Sequence, residues 1–136
     1  MKPPTNLLLA RLAIGLVFVW NIQCAFAFLV WPERFIAGFE LPGAPGEAAL
    51  RGVGVLFLMW NVPYAVALWH PARYRVSLYE ATAMQAIGLL GETLIWLGQP
   101  PARTVLQASL LRFMVFDGAG LALLFLAVWL VRRATA

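Results

Sequence analysis

Four long apolar runs make up most of this chain, covering about residues 7–31, 48–69, 77–98 and 105–131. As a helix, at about 1.5 Å per residue, each run could cross the roughly 30 Å hydrocarbon core of a membrane. Proline, glycine or charged residues bound the runs, and such residues end helices. The runs lack the alternation of barrel strands. The sequence therefore predicts an all-α integral membrane protein with a single transmembrane domain, residues 1–136, folded as an antiparallel bundle of four transmembrane helices.

Composition and charge agree with that class. Apolar residues make up 62% of the chain and charged residues 12%, whereas an average soluble domain has about 25% charged residues. The net charge is +4, and the basic residues stand mostly at the ends of the apolar runs. That placement suits anionic lipid headgroups and argues against nucleic-acid binding. We expect the lipid bilayer to be the main partner.

The distribution of lysine and arginine sets the expected orientation. If the first helix runs outward, six basic residues fall on the side of the termini and four on the other side, which favours both termini in the cytoplasm of a bacterial-type inner (plasma) membrane. A cleaved signal peptide is the alternative for the first run, because "AFA" at 25–27 resembles a cleavage site. Against cleavage, the apolar run continues through "FLVW".

Two of the runs contain a similar pattern, "RLAIGLVFVWN" beginning at Arg11 and "RGVGVLFLMWN" beginning at Arg51. In antiparallel helices the two arginines would lie near opposite surfaces, while Asn21 and Asn61 would return to the same depth near the midplane. We expect the two asparagines to hydrogen-bond across the helix pair, as polar side chains do in membrane bundles. Trp20 and Trp60 are expected in the core.

Acidic side chains inside the third and fourth runs are the stronger signal, because a charge in the bilayer is expensive and by default marks a functional site. Gln85 and Glu92 share one face of the third helix, seven residues apart. We expect Arg112 to reach Glu92 and Asp117 to meet the asparagines. The predicted ligand-binding residues, which would line a polar pocket, are Asn21, Asn61, Gln85, Glu92, Arg112 and Asp117. The alternative is that these groups only fix helix register.

Catalytic chemistry has little support in the sequence. His70 is the only histidine and Cys24 the only cysteine, so zinc sites and cysteine redox pairs are not expected. No phosphate-binding glycine loop or hydrolase motif is present. We therefore predict no catalytic residue, no metal and no cofactor.

The first half of the chain resembles a known group of membrane proteins. The resemblance is carried by "LLARLAIGLVF", by "WPERF" and by "LPGAPGEAALRGVGVLFL", over about residues 7–75. These motifs are similar to those of the DoxX-like family of small four-helix integral membrane proteins, some of which are associated with quinone-linked sulfur oxidation or redox complexes. The family's glycine–lysine feature near the end of helix one is replaced here by "QCAFAFL", so no site residue is carried over.

Three functions stay open from the sequence. The first is a non-catalytic subunit or accessory protein of a membrane complex, such as a redox- or quinone-linked one, held by a membrane-protein partner or as a homodimer. The second is a bundle that binds a hydrophobic, amphipathic small molecule, quinone-like or sterol-like, in its polar pocket. The third is a small proton-coupled exporter, which is disfavoured because the first helix contains no acidic residue.

Overall fold

The computed structural model describes residues 5–135, and within that range the chain forms four long helices and two short 3₁₀ turns. The predicted domain also included residues 1–4 and 136, which lie outside the described range. The helices are α1 (Thr5–Val30), α2 (Gly43–Trp69), α3 (Arg75–Leu97) and α4 (Thr104–Thr135). The 3₁₀ turns, Pro32–Arg34 and Ile36–Phe39, lie between α1 and α2. The prediction of an all-helical chain with four helices is confirmed.

The helix ends lie close to where the sequence predicts them, with two larger differences. Helix α4 ends at Thr135, four residues later than predicted, and the other difference is at the start of α2. Pro32 follows α1 directly and disfavours helix in the residue before it. Helix α2 begins at Gly43, five residues earlier than predicted, although the chain there reads "GAPGE". Pro45 is tolerated because the first turn of a helix needs no donor from its N–H groups. Gly43 has φ +75°, a conformation that favours glycine.

Three of the helices, α1, α2 and α4, are long and apolar enough to cross a membrane. Helix α3 has 23 residues but is not among them, because its sequence includes Arg75, Glu80 and Glu92 as well as Gln85. All three candidate spans lie within residues 5–135, the range that the structure describes.

The core fills one end of the bundle. It takes residues from the first half of α1, the last part of α2, the first part of α3 and the last part of α4, among them Ile14, Ala67, Leu78 and Leu124. All four of these side chains are almost completely buried. Helix α1 packs closely against α2 and α4, whereas α2 and α3 make the smallest contact of the neighbouring pairs. The other end of the bundle is therefore free to enclose cavities.

Helices α1 and α2 are in close contact at Gly54. A Cβ at this position would lie 2.9 Å from the Ala25 carbonyl oxygen and 2.9 Å from Leu29 Cγ, and neither the backbone nor a packed leucine can yield easily. At Gly52, one half-turn away, a Cβ would have no neighbour within 4 Å. Glycine at 54 is thus required for the helix contact, whereas glycine at 52 is not.

We expect Gly54→Ala to lower the free energy of unfolding by about 1–3 kcal/mol, as overpacking of a close contact does. Gly52→Ala is the matched control on the same helix and should be neutral or slightly stabilising because alanine favours helix. The check is the thermal unfolding midpoint of the two purified variants. Equal midpoints would contradict the assignment of Gly54 as the contact point.

Candidate functional site: the α2–α3 cavity

A cavity of about 570 Å³ lies in the half of the bundle that the core leaves open. We call it the α2–α3 cavity because every exposed residue in its lining lies on α2, on α3 or directly before α2, for example Val53, Trp60, Ile87 and Ile95. Its inner wall is largely aromatic, formed by Phe28, Phe39, Phe57, Tyr64, Phe113 and Phe116. An apolar chamber of this size, open between two helices, is in the usual range for small-molecule sites.

A hydrogen-bonded relay crosses the back of this cavity and joins three helices. The Tyr64 hydroxyl on α2 donates to Gln85 Oε1 on α3 at 2.6 Å and lies 3.1 Å from the Ala81 carbonyl oxygen. Gln85 Nε2 in turn donates to Asp117 Oδ1 on α4 at 2.8 Å. Both Tyr64 and Gln85 are buried, so the relay satisfies groups that would otherwise destabilise the bundle. It also holds the Asp117 carboxylate at the cavity wall.

Two glycines make room for the Gln85–Asp117 contact. A Cβ at residue 88 would lie 2.5 Å from Asp117 Oδ2, and a Cβ at residue 120 would lie 2.8 Å from Gln85 Nε2. Each helix thus presents a polar residue followed three positions later by a glycine, Gln85 with Gly88 on α3 and Asp117 with Gly120 on α4. Residues three apart share a helix face, so each polar side chain fits over the glycine of the other helix.

Two buried oxygen atoms in the cavity wall have no hydrogen-bond partner among the described residues, Asn61 Oδ1 and Glu92 Oε2. Asn61 is only 3% exposed, and its amide Nδ2 donates to the Phe57 carbonyl oxygen of its own helix at 2.6 Å. Buried polar atoms are nearly always hydrogen-bonded in folded proteins. The side-chain oxygen of an asparagine is an acceptor, as is an ionised carboxylate. The cavity therefore offers acceptors for a donor from outside the chain.

Five of the six residues predicted to bind a ligand line this cavity: Asn21, Asn61, Gln85, Glu92 and Asp117. The sixth, Arg112, lines a second cavity instead. The predicted pairing of Arg112 with Glu92 is wrong, because Arg112 Nη2 donates to Ser109 Oγ at 3.1 Å and makes no ion pair. Arg112 points along its own helix toward Ser109, three residues earlier, and away from the helix face that carries Asp117.

The asparagine pairing is also wrong. Asn61 donates within its own helix, and Asp117 accepts from Gln85, not from an asparagine. The arginines of the repeated pattern differ as well, since Arg11 Nε donates to the Leu68 carbonyl oxygen at 3.1 Å while Arg51 lies 3.8 Å from Glu47. Similar sequence in α1 and α2 therefore does not give similar contacts.

Three aromatic residues differ from the prediction: Trp60 and Trp20 in their exposure, and Tyr64 as an additional site residue. Trp60, expected in the core, is 47% exposed at the opening of the cavity, and Trp20 packs against Phe116 with ring centroids 5.1 Å apart while remaining partly exposed. Tyr64 was not identified from the sequence as a site residue. Its position three residues after Asn61 on the same helix face is the signal that could have found it.

In the part of the chain that the structure describes, no group of three His, Cys, Asp or Glu side chains comes close enough together to hold a metal ion. Glu92 and Asp117 line one cavity, but the other polar residues there are amides and a phenol. The chemistry available is therefore hydrogen bonding and charge, against a mostly aromatic wall.

Comparison of the chain with known proteins identified no relative. No protein-family model, curated protein or solved structure matches the chain. The comparisons thus give the DoxX-like resemblance no support, and it stays a prediction from the quoted motifs.

Proposed function

We propose that this is an integral membrane protein whose four helices cross the bilayer in antiparallel order, with both termini in the cytoplasm of a bacterial-type inner membrane. The length and apolarity of α1, α2 and α4 support three crossings. Large apolar side chains such as Leu12, Val62 and Val115 face outward with most of their surface exposed. A contiguous apolar exterior of this kind is typical of a surface in contact with lipid.

Helix α3 is the fourth crossing in this proposal. Its outward-facing residues Ile87, Leu90 and Leu94 are 68%, 64% and 70% exposed, which is the pattern of a lipid-facing surface. Its buried positions instead include Thr82 and Gln85. Two of the polar side chains that make the helix less apolar on average, Gln85 and Glu92, line the cavity inside the bundle, where intramembrane polar groups are normally placed. The other two, Arg75 and Glu80, are exposed in the first two turns of the helix, which lie near the membrane surface in this proposal.

The proposed function is the binding of an amphipathic small molecule that reaches the α2–α3 cavity from the lipid phase. The observation that carries it is the pair of unsatisfied acceptors, Asn61 Oδ1 and Glu92 Oε2, in the wall of a mostly apolar chamber. A ligand with an apolar body and a hydroxyl group would bury its body against the aromatic wall and donate to these oxygens. Quinols and sterol alcohols have this chemistry, whereas the oxidised quinone offers only acceptors.

A non-catalytic subunit role stays a prediction from the sequence, since no surface feature favours a particular membrane-protein partner or a homodimer. The DoxX-like, redox-linked assignment is compatible with a quinol in the cavity and is part of the same proposal. The exporter hypothesis would need its acidic residues in the cavity, and Glu92 and Asp117 do line it. We rank it below binding because Asp117 is engaged by Gln85.

The test uses a matched ligand pair, decylubiquinol and decylubiquinone, with the full chain in lipid nanodiscs. We expect the quinol to bind about tenfold more tightly, which corresponds to roughly one hydrogen bond of 1.4 kcal/mol. Asn61→Leu removes an acceptor and should weaken quinol binding by a similar factor. Glu92→Gln keeps a neutral acceptor but loses the stronger charge-assisted hydrogen bond, so it should weaken quinol binding less, and membrane insertion should stay intact in both variants. Asp117→Asn should also alter binding, because the relay places this carboxylate at the wall.

Glu80→Gln is the control, since Glu80 is an exposed acid on the same helix that does not line the cavity. It should bind the quinol as the unsubstituted chain does. If Glu92→Gln and Asp117→Asn lose only folding stability and neither ligand binds, then the polar residues serve helix register and the proposed function is wrong.

A further inference from the structure

A second cavity, of about 380 Å³, lies between α1, α4 and the two 3₁₀ turns. It shares the rings of Phe28, Phe39, Phe113 and Phe116 with the α2–α3 cavity, so these phenylalanines form the partition between the two chambers. The remaining lining includes Arg34 and Arg112. We call this chamber the arginine cavity.

The charges of the two chambers are opposite. Glu92 and Asp117 line the α2–α3 cavity, whereas no aspartate or glutamate lines the arginine cavity. Within residues 5–135 the ion pairs are Arg51–Glu47 and Arg103–Glu40, and neither arginine of this cavity takes part. Two arginines therefore line one chamber that contains no acidic residue to pair with them.

The guanidinium groups of Arg34 and Arg112 each make one contact within the protein and keep further N–H donors available. The Arg34 guanidinium carbon lies 5.4 Å from the centroid of the Trp31 ring. This is a cation–π contact, which uses the charge of the guanidinium and does not use its N–H groups as hydrogen-bond donors to an oxygen. Arg112 uses Nη2 for Ser109 Oγ, and a guanidinium has five N–H donors. Both side chains can thus offer hydrogen bonds to an anion in the chamber.

The serine that contacts Arg112 is itself firmly placed. Ser109 is 2% exposed, and a Cβ at Gly38 would lie 3.0 Å from its hydroxyl oxygen. Glycine at 38 therefore lets the second 3₁₀ turn lie directly over Ser109. The aromatic side chains of that segment close the chamber, with the Phe35 and Phe39 rings 5.1 Å and 6.0 Å from Phe28.

We propose that the arginine cavity binds the phosphate of an anionic amphiphile. Arg34 and Arg112 are the phosphate ligands, because guanidinium groups match phosphate oxygens in geometry and charge. The phenylalanine wall provides the surface for the apolar part of the molecule. A lipid headgroup and a free phosphate ester share this chemistry, and the apolar wall favours the lipid. The proposal does not rest on quinol binding, since the arginines that would hold the phosphate do not line the α2–α3 cavity.

The test is native mass spectrometry of the full chain in detergent, with dimyristoyl phosphatidylglycerol or dimyristoyl phosphatidylcholine added at equal concentration. We expect at least about a tenfold preference for the anionic lipid, because the choline cation would face two arginines. Arg34→Gln and Arg112→Gln should each reduce the preference severalfold, and the double variant should abolish it. Arg51→Gln is the matched control, since Arg51 pairs with Glu47 and does not line the chamber.

A parallel titration with glycerol 3-phosphate distinguishes the two sources of phosphate. No binding of the free ester at millimolar concentration assigns the site to lipid, whereas arginine-dependent binding of the free ester assigns it to a soluble anion. Equal retention of both lipids, or anionic-lipid retention in the double variant equal to that of the unsubstituted chain, overturns the proposal. If Arg112→Gln does not fold, Arg34→Gln, in a surface turn, decides the outcome alone.

Discussion

Replacing Gly91 by leucine should abolish quinol binding in the α2–α3 cavity, with an apparent Kd raised more than about 100-fold, equivalent to roughly 2.7 kcal/mol. Gly91 lines the cavity between Ile87 and Ile95, which share its face of α3 at spacings of four residues. A Cβ at this position has no neighbour within 4 Å, so a larger side chain fits without disturbing the backbone. It would project into the opening and occupy the space that a ligand must cross.

Gly52→Leu is the control for Gly91→Leu, because Gly52 is equally free of neighbours on α2 and does not line the cavity. Both variants add the same apolar side chain to a helix surface, and only one adds it at the cavity. Titration of both with decylubiquinol in nanodiscs is the measurement. If Gly91→Leu binds like Gly52→Leu, the ligand does not pass between α2 and α3.

The positions of the helices follow from the sequence because run length and terminating residues are local properties. Pro32 ends α1, and the segment around His70 and Pro71 separates α2 from α3. The depth of a residue in a bundle follows from its count along the helix, which is why Asn21, Asn61 and Asp117 were expected near one another and do line one cavity. The start of α2 was missed because "LPGAPG" is as compatible with a first helical turn as with a loop.

The choice of hydrogen-bond partners did not follow from the sequence. Partners depend on the rotation of each helix about its axis and on side-chain rotamers, and apolar runs constrain rotation weakly because nearly every face is apolar. Arg112 therefore contacts Ser109 on its own helix in place of the predicted Glu92, and Gln85 takes the position beside Asp117 that was expected for an asparagine. The glycines at 88 and 120, which fix how close α3 and α4 come, became informative only with the contact known.

The relay through Gln85 gives the second large expected effect. Gln85→Leu keeps the side-chain size but removes the partner of both the Tyr64 hydroxyl and the Asp117 carboxylate. We expect the free energy of unfolding to fall by about 2–3 kcal/mol, since two interhelical hydrogen bonds are lost and a carboxylate is left unpaired. Tyr64 keeps the Ala81 carbonyl oxygen as an acceptor, so most of the loss should come from Asp117.

The share of this loss of unfolding free energy that comes from Asp117 can be measured by unfolding the variants in mixed micelles. Combining Gln85→Leu with Asp117→Leu should cost less than the sum of the two single substitutions, because the double variant leaves no unpaired carboxylate. Gln99→Leu is the matched control: Gln99 donates only to Ile95 of the preceding turn, and its replacement should change the free energy of unfolding by less than about 0.5 kcal/mol. A Gln85→Leu variant as stable as Gln99→Leu would mean that the relay does not hold α2, α3 and α4 together, and that Asp117 is kept at the cavity wall by helix packing alone.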